Sequence, residues 1–180
     1  MDRIGNWMQT YTGKQYWPCD PRPEEVFIID IAHALSQMCR YSGHCIHFYS
    51  VAEHSVLLSR YASTLETKKW SLLHDASEAY ITDIIRPIKP FLTNYYSLED
   101  RNMKAICRRF GLSEEMPVEV KELDNRILLD ELAQNMVPPP DPWNISGEPL
   151  GVDLKFWSPE RAEHEFLTEF GILFGEHEYE

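Results

Sequence analysis

Leu72-Leu73-His74-Asp75-Ala76-Ser77-Glu78 is the stretch from which both fold and chemistry follow. Leu72, Leu73 and Ala76 recur at helical spacing and predict a helix over about 68–80, with His74 and Asp75 inside it. Successive residues of a helix project about 100° apart, so this pair can approach one cation from neighbouring directions. A neutral imidazole with a carboxylate suits a divalent transition metal. Alone, the pair reads more readily as a partly buried His beside a capping or solvated Asp, since so short a motif recurs by chance.

The neighbouring segments weigh on the first reading. Twenty residues upstream, Val51-Ala52-Glu53-His54-Ser55 places another His on a helix predicted over 51–61, striped by Val51, Leu58 and Tyr61. A connection of about six residues makes the two helices antiparallel neighbours, so His54 and His74 can face each other. Downstream, a helix predicted over 116–135 carries Val120, Leu123, Ile127, Leu128 and Leu132, with Asp124 interrupting the apolar face. A carboxylate turned inward is costly unless it meets a cation or hydrogen-bond donors; at the edge of the stripe it would be an ordinary surface residue. His54, His74, Asp75 and Asp124 together offer two imidazoles and two carboxylates, leaving positions for water and phosphate.

The rest of the chain frames these helices. The first 25 residues are rich in proline and aromatics (Trp7, Tyr11, Tyr16, Trp17) and read as an irregular or short-strand lead-in. A helical pattern begins near Ile31, with Ala34, Leu35 and Met38 on one face, and breaks at Ser42-Gly43. Arg86-Pro87 and Lys89-Pro90 mark a loop, and a helix over 97–110 closes on Gly111. Pro138-Pro139-Pro140 ends the 116–135 helix, 141–157 read as loop, and Ser158-Pro159-Glu160 opens a last helix. The expected architecture is all-α, one domain over 1–180, large enough for one core at 43% hydrophobic residues.

A formal net charge of −12 argues against a broad nucleic-acid surface and leaves room for a small anionic ligand. No apolar run approaches the roughly 20 residues of a membrane span, and the N-terminus does not read as a signal peptide. Four cysteines without a CxxC pair predict free thiols and a cytoplasmic location.

The set His54…His74-Asp75…Asp124 resembles the H…HD…D metal set of the HD-domain phosphohydrolases. His74-Asp75-Ala76-Ser77-Glu78, then Asp83 and Arg86-Pro87-Ile88-Lys89, is similar to the HDASE…D…P-x-x-K stretch of bacterial 5′-deoxynucleotidases and of phage deoxyadenosine triphosphate triphosphohydrolases. The likeness covers about residues 28–135, the metal-site core. It implies a single HD-type helical bundle in which His54, His74, Asp75 and Asp124 hold a divalent ion (Co, Mn, Zn, Fe, Ni or Mg), with a second ion left open. Glu78, one turn along the same face, takes the family's acid–base position, and Asp83 its second acid. Arg40, Tyr41 and Lys89 take the substrate-binding positions; a solvated loop residue is the plainer role for Arg86. Two departures stand out: Tyr41 replaces the Trp of the deoxynucleotidases, and the helices bearing His54 and His74 are joined more tightly.

The implied activity is metal-dependent hydrolysis of phosphate from a deoxynucleoside 5′-monophosphate. The alternatives are a triphosphohydrolase releasing tripolyphosphate and, from another class, a nucleotide-binding sensor without catalysis. The expected partners are a small nucleotide and further copies of the chain, for which the N-terminal aromatics would suit an interface; neither a nucleic-acid polymer nor a membrane is expected. His44 and His47 are extra loop histidines, His33 reads as a packed core residue, and His164 and His177 receive no role.

Overall fold

The computed structural model describes residues 2–175. At its centre α2 (Val51–Tyr61) and α3 (Leu65–Leu73) form the expected antiparallel pair. Both helices start on side-chain caps. Ser50 Oγ accepts from the Glu53 amide, and Thr64 and Thr67 form a reciprocal capping box. The last helix does likewise: Ser158 caps α7 (Pro159–Phe174), whose proline sits where no amide hydrogen is needed.

Helix α1 (Ile28–Gln37) and α7 close over the pair, burying Ile28, Ile31, Leu35, Val56, Leu72, Phe166 and Phe170 in the main core. Helix α5 (Tyr95–Phe110) ends on left-handed Gly111, and α6 (Val118–Asn135) crosses beside α2 and α3. Leu123 and Ile127 of α6 join Tyr49, Leu58, Leu150 and Leu154 in a second cluster. The lead-in contains a two-residue hairpin, β1 (Met8–Gln9) with β2 (Gln15–Tyr16), in the register Met8 to Tyr16. Its anchor is Tyr16, fully buried, stacked on Tyr80 at 3.7 Å and donating to Asn102 Oδ1 at 2.7 Å. Tyr16 therefore belongs to the core, whereas Trp7 and Tyr11 stay exposed.

The architecture is mostly helical, as the sequence predicts, but the helix expected over 68–80 is broken. Helix α3 stops at Leu73, residues 74–77 form turns, and a short α4 (Glu78–Ile81) resumes. The cause is local. His74 Nδ1 bonds the Ser71 carbonyl at 2.7 Å, and the backbone tightens to Leu73–Ala76 and Asp75–Glu78 bonds three residues apart. His74 and Asp75 thus stand at a helix end, where neighbouring turns leave space beside them.

The 141–157 segment lacks regular structure and is nevertheless pinned. Buried Asp130 accepts the amides of Leu150, Gly151 and Val152, and fully buried Glu53 accepts those of Lys155, Phe156 and Trp157. No helix among the described residues is long and apolar enough to cross a membrane.

Candidate metal centre and pocket

Four elements converge on one point. Helix α2 brings His54, fully buried; the end of α3 brings His74, and the following turn Asp75; α6 brings Asp124. The two imidazoles meet Nε2 to Nε2 at 3.3 Å. Asp124 Oδ1 lies 3.4 Å from His54 Nε2 and 3.9 Å from His74 Nε2. Asp75 Oδ2 lies 3.2 Å from His74 Nε2 and 3.9 Å from His54 Nε2. His54, His74 and Asp124 form a cluster able to hold a metal ion, their donor atoms all within 4.8 Å of one another.

The outer face of each ring explains its orientation. His54 Nδ1 faces Glu131 Oε1 at 2.8 Å, and His74 Nδ1 faces the Ser71 carbonyl at 2.7 Å. Both partners only accept, so each Nδ1 carries the hydrogen and each Nε2 points into the cluster. Two bare nitrogens at 3.3 Å repel unless a proton or cation lies with them. Two imidazole nitrogens on one metal ion stand about 3.0–3.4 Å apart, given metal–nitrogen bonds of about 2.1 Å. The donor set therefore fits a divalent ion. Without one, burial pushes His74 down, but the charges of Asp75 and Asp124 outweigh it and carry its pKa up to about 9. Burial opposes ionisation of Asp124, yet bonding to His54 and the charge of His74 bring it down to about 2.

Beside the cluster opens a cavity of about 880 Å³ whose lining includes Arg40, Tyr41, Asp75, Glu78, Asp83, Lys89 and Asp124. The structure thus gathers all the expected substrate, acid–base and carboxylate residues in one place, with both histidines behind the lining carboxylates Asp75 and Asp124. Glu78 is 5% exposed, and its Oε2 has no hydrogen-bond partner among the described residues. Burial, then the charges of Asp75 and Asp83, push its carboxyl well above the usual range against the pull of Lys89 and Arg40. Burial raises Asp83 as well, with Arg40 opposing.

The cations are held ready. Lys89 Nζ donates to Glu99 Oε1 at 3.1 Å. Arg40 reaches Glu131 Oε2 at 3.2 Å and Asp75 Oδ2 at 3.7 Å. The Tyr41 hydroxyl also donates to Glu131. Arg40 and Tyr41 ride on a tight 3-10 turn, Arg40–Gly43, in which Tyr41 (φ 56°) and Ser42 (φ 51°) are left-handed. At the base of this turn Cys39 and Cys45, both free thiols, lie with sulfurs 3.4 Å apart. Arg86 is more than a solvated loop residue: though 58% exposed, it donates to Asp124 Oδ2 at 2.8 Å and Asn125 Oδ1 at 2.9 Å.

Two participants escape the sequence reading. Glu131, fully buried, bonds both His54 and the Arg40–Tyr41 turn; its one signal is the seven-residue step from Asp124, which keeps both on one helix face. Trp143, on the pinned loop, lines the cavity with its ring 5.8 Å from that of Tyr41, and nothing in its surroundings in the sequence marks it. His44 lines the cavity, while His47 packs against Phe156. His33 corrects its expectation as a core residue. It is half-buried beside a separate shallow cleft, stacked on Tyr11 at 3.6 Å and 3.0 Å from Glu163. His164 is exposed, and His177 lies outside the described residues.

No protein-family model matches the chain. It is 37% identical over 126 residues to the uncharacterized protein YfdR of Escherichia coli K12, an alignment covering 70% of each chain. An uncharacterized protein of Rhodobacter capsulatus is 35% identical over 124 residues, covering 64% of this chain and 63% of that one.

Proposed function

The chain belongs to the family of the Escherichia coli protein YfdR, and we propose that it is a metal-dependent phosphohydrolase of the HD type that acts on a deoxynucleoside 5′-monophosphate. The observation that carries this reading is the pair of inward-facing Nε2 atoms, 3.3 Å apart beside two carboxylates that line a cavity holding a buried acid and two cations. An anionic ligand needs those cations in a chain of net charge −12. A nucleotide-sized molecule fits about 880 Å³.

His54, His74, Asp75 and Asp124 would hold the divalent ion, which when bound supplies a strong Lewis acid and a lowered pKa for its water. Arg40 and Lys89 bind phosphate oxygens, the first as a fork and the second as a point charge. Each is already ion-paired, so it is pre-oriented before the ligand arrives. A water oxygen bonds to phosphorus as the ester P–O bond breaks; Glu78 in its neutral form gives its proton to the departing ester oxygen, sparing it from leaving as an alkoxide, and recovers a proton from solvent. Asp83, which lines the same cavity, orients the ligand. The HD-type bundle, a cytoplasmic location and assembly into homo-oligomers belong to the same reading.

A triphosphate substrate is the second reading, and Arg86 favours it. Its guanidinium lines the cavity and is more than half exposed, a third cation beyond the two that one phosphate needs.

The test is a product assay on metal-stripped protein resupplied with Co, Mn or Mg and given each deoxynucleoside mono- and triphosphate. Nucleoside plus phosphate, appearing only with metal, is the expected result. Nucleoside plus tripolyphosphate moves the protein to the second reading. No metal-dependent product from any of them overturns both and leaves a nucleotide-binding sensor to pursue.

A further inference from the structure

Glu131 stands on α6 with no exposed surface, a position in which an ionised carboxylate is costly unless every lone pair is used. Its Oε1 accepts from His54 Nδ1 at 2.8 Å. Its Oε2 accepts from the Tyr41 hydroxyl and from Arg40 Nη2 at 3.2 Å and Nε at 3.3 Å. One side chain therefore joins an imidazole of the metal cluster to the turn that carries two pocket residues.

We infer that Glu131 is the positioning residue of the metal centre, holding His54 with its hydrogen on Nδ1 and its Nε2 directed at the cluster. The inference rests on the metal reading above and goes beyond it by assigning a role to a residue outside the donor set. An imidazole with a free choice of tautomer can place hydrogen on either nitrogen, and only one choice leaves a lone pair for a metal. Asp75 and Asp124 approach His54 at Nε2, so neither can accept the Nδ1 hydrogen. That hydrogen goes to Glu131.

Helix geometry makes the link stiff. Asp124 and Glu131 occupy one face of α6 two turns apart, so the element that supplies a carboxylate to the cluster also fixes the ring opposite it. Balancing the charge of Arg40 would need a carboxylate in this region. It would not need one whose second oxygen is spent on His54, and that second bond is what a purely structural ion pair leaves unexplained.

The experiment compares chelator-stripped full-length wild type and Glu131→Gln by calorimetric titration with Co²⁺, with circular dichroism to establish that the variant is folded. The substitution keeps the side-chain volume and removes the charge. The expected result is a folded variant whose cobalt affinity is about 10- to 100-fold weaker. Unchanged affinity in a folded variant overturns the inference, since a structural role alone would not move it. Failure of the wild type to bind cobalt, manganese or zinc overturns the metal reading itself, and the inference with it. Because Glu131→Gln leaves buried Arg40 without its nearest anion and can fail to fold, a second measurement uses the metal-free wild type, in which no ion dictates the tautomer. Long-range proton–nitrogen NMR correlations that place the His54 hydrogen on Nδ1 support the inference. A hydrogen on Nε2 overturns it.

Discussion

At the scale of single residues the pocket is organised by what each side chain lacks. Glu78 lacks a hydrogen-bond partner for one oxygen, although it is 5% exposed. A native structure leaves a buried carboxyl in that condition rarely, and functional sites are where it happens. Replacing Glu78 with Gln keeps the volume and removes the transferable proton. The expected outcome is a loss of turnover of about 100- to 10,000-fold with metal binding retained. A steady-state assay paired with a metal titration checks it, and full activity would remove Glu78 from acid–base chemistry. Much of this scale is legible in the sequence: His54, His74, Asp75, Glu78, Asp124 and the cations Arg40 and Lys89 all stand out there, and they do meet. Glu131 does not, because a charged residue on a helix face looks the same in sequence whether it meets solvent or a histidine.

At the scale of elements, α2 carries His54 of the candidate metal cluster, and its fixing to the rest of the chain decides how steady His54 is. Glu53, next to His54, accepts three successive backbone amides from residues 155–157. Removing the carboxylate leaves those partly buried amides unpaired. Glu53→Ala is therefore expected to cost about 3–5 kcal/mol of stability, read from the midpoint of urea unfolding. A cost below about 1 kcal/mol would show that water replaces the carboxylate freely. This anchorage explains why 141–157, which lacks helix and strand as its composition predicts, is not a slack loop. The α2–α3 hairpin is readable from apolar spacing together with the short connection. The interruption after Leu73 is not, since it depends on a side chain bonding its own backbone, and the period of the apolar residues runs straight through it.

At the scale of the whole molecule, the cluster is a store of opposing charges whose balance depends on pH and on metal. Without metal, His74 is raised from 6.5 to about 9, so its contribution to stability is complete below 6.5 and is lost as pH rises through 9. Asp124 is lowered from 3.8 to about 2, so its contribution is present above 3.8 and is lost as pH falls through 2. Chelator-treated protein is thus expected to melt several degrees lower at pH 9 than at pH 6.5. A divalent ion held by the proposed ligand set would compete with the His74 proton, so added metal should raise the melting temperature more at pH 9 than at pH 6.5. Calorimetric melting across that range, with and without metal, decides the matter; a flat metal-free profile would contradict the charge balance described.

The left-handed backbone at Tyr41 and Ser42 carries a consequence for anyone reshaping this protein. Left-handed geometry costs an ordinary residue about 1–2 kcal/mol, and here two adjacent ones bear it. Glycine at Ser42 would relieve the tension and also let the turn wander, taking Arg40 and the Tyr41 ring with it. Sturdiness and aim are in competition along these few atoms. A hardier variant is better sought where α1 and α7 meet than in the turn at the mouth of the cavity.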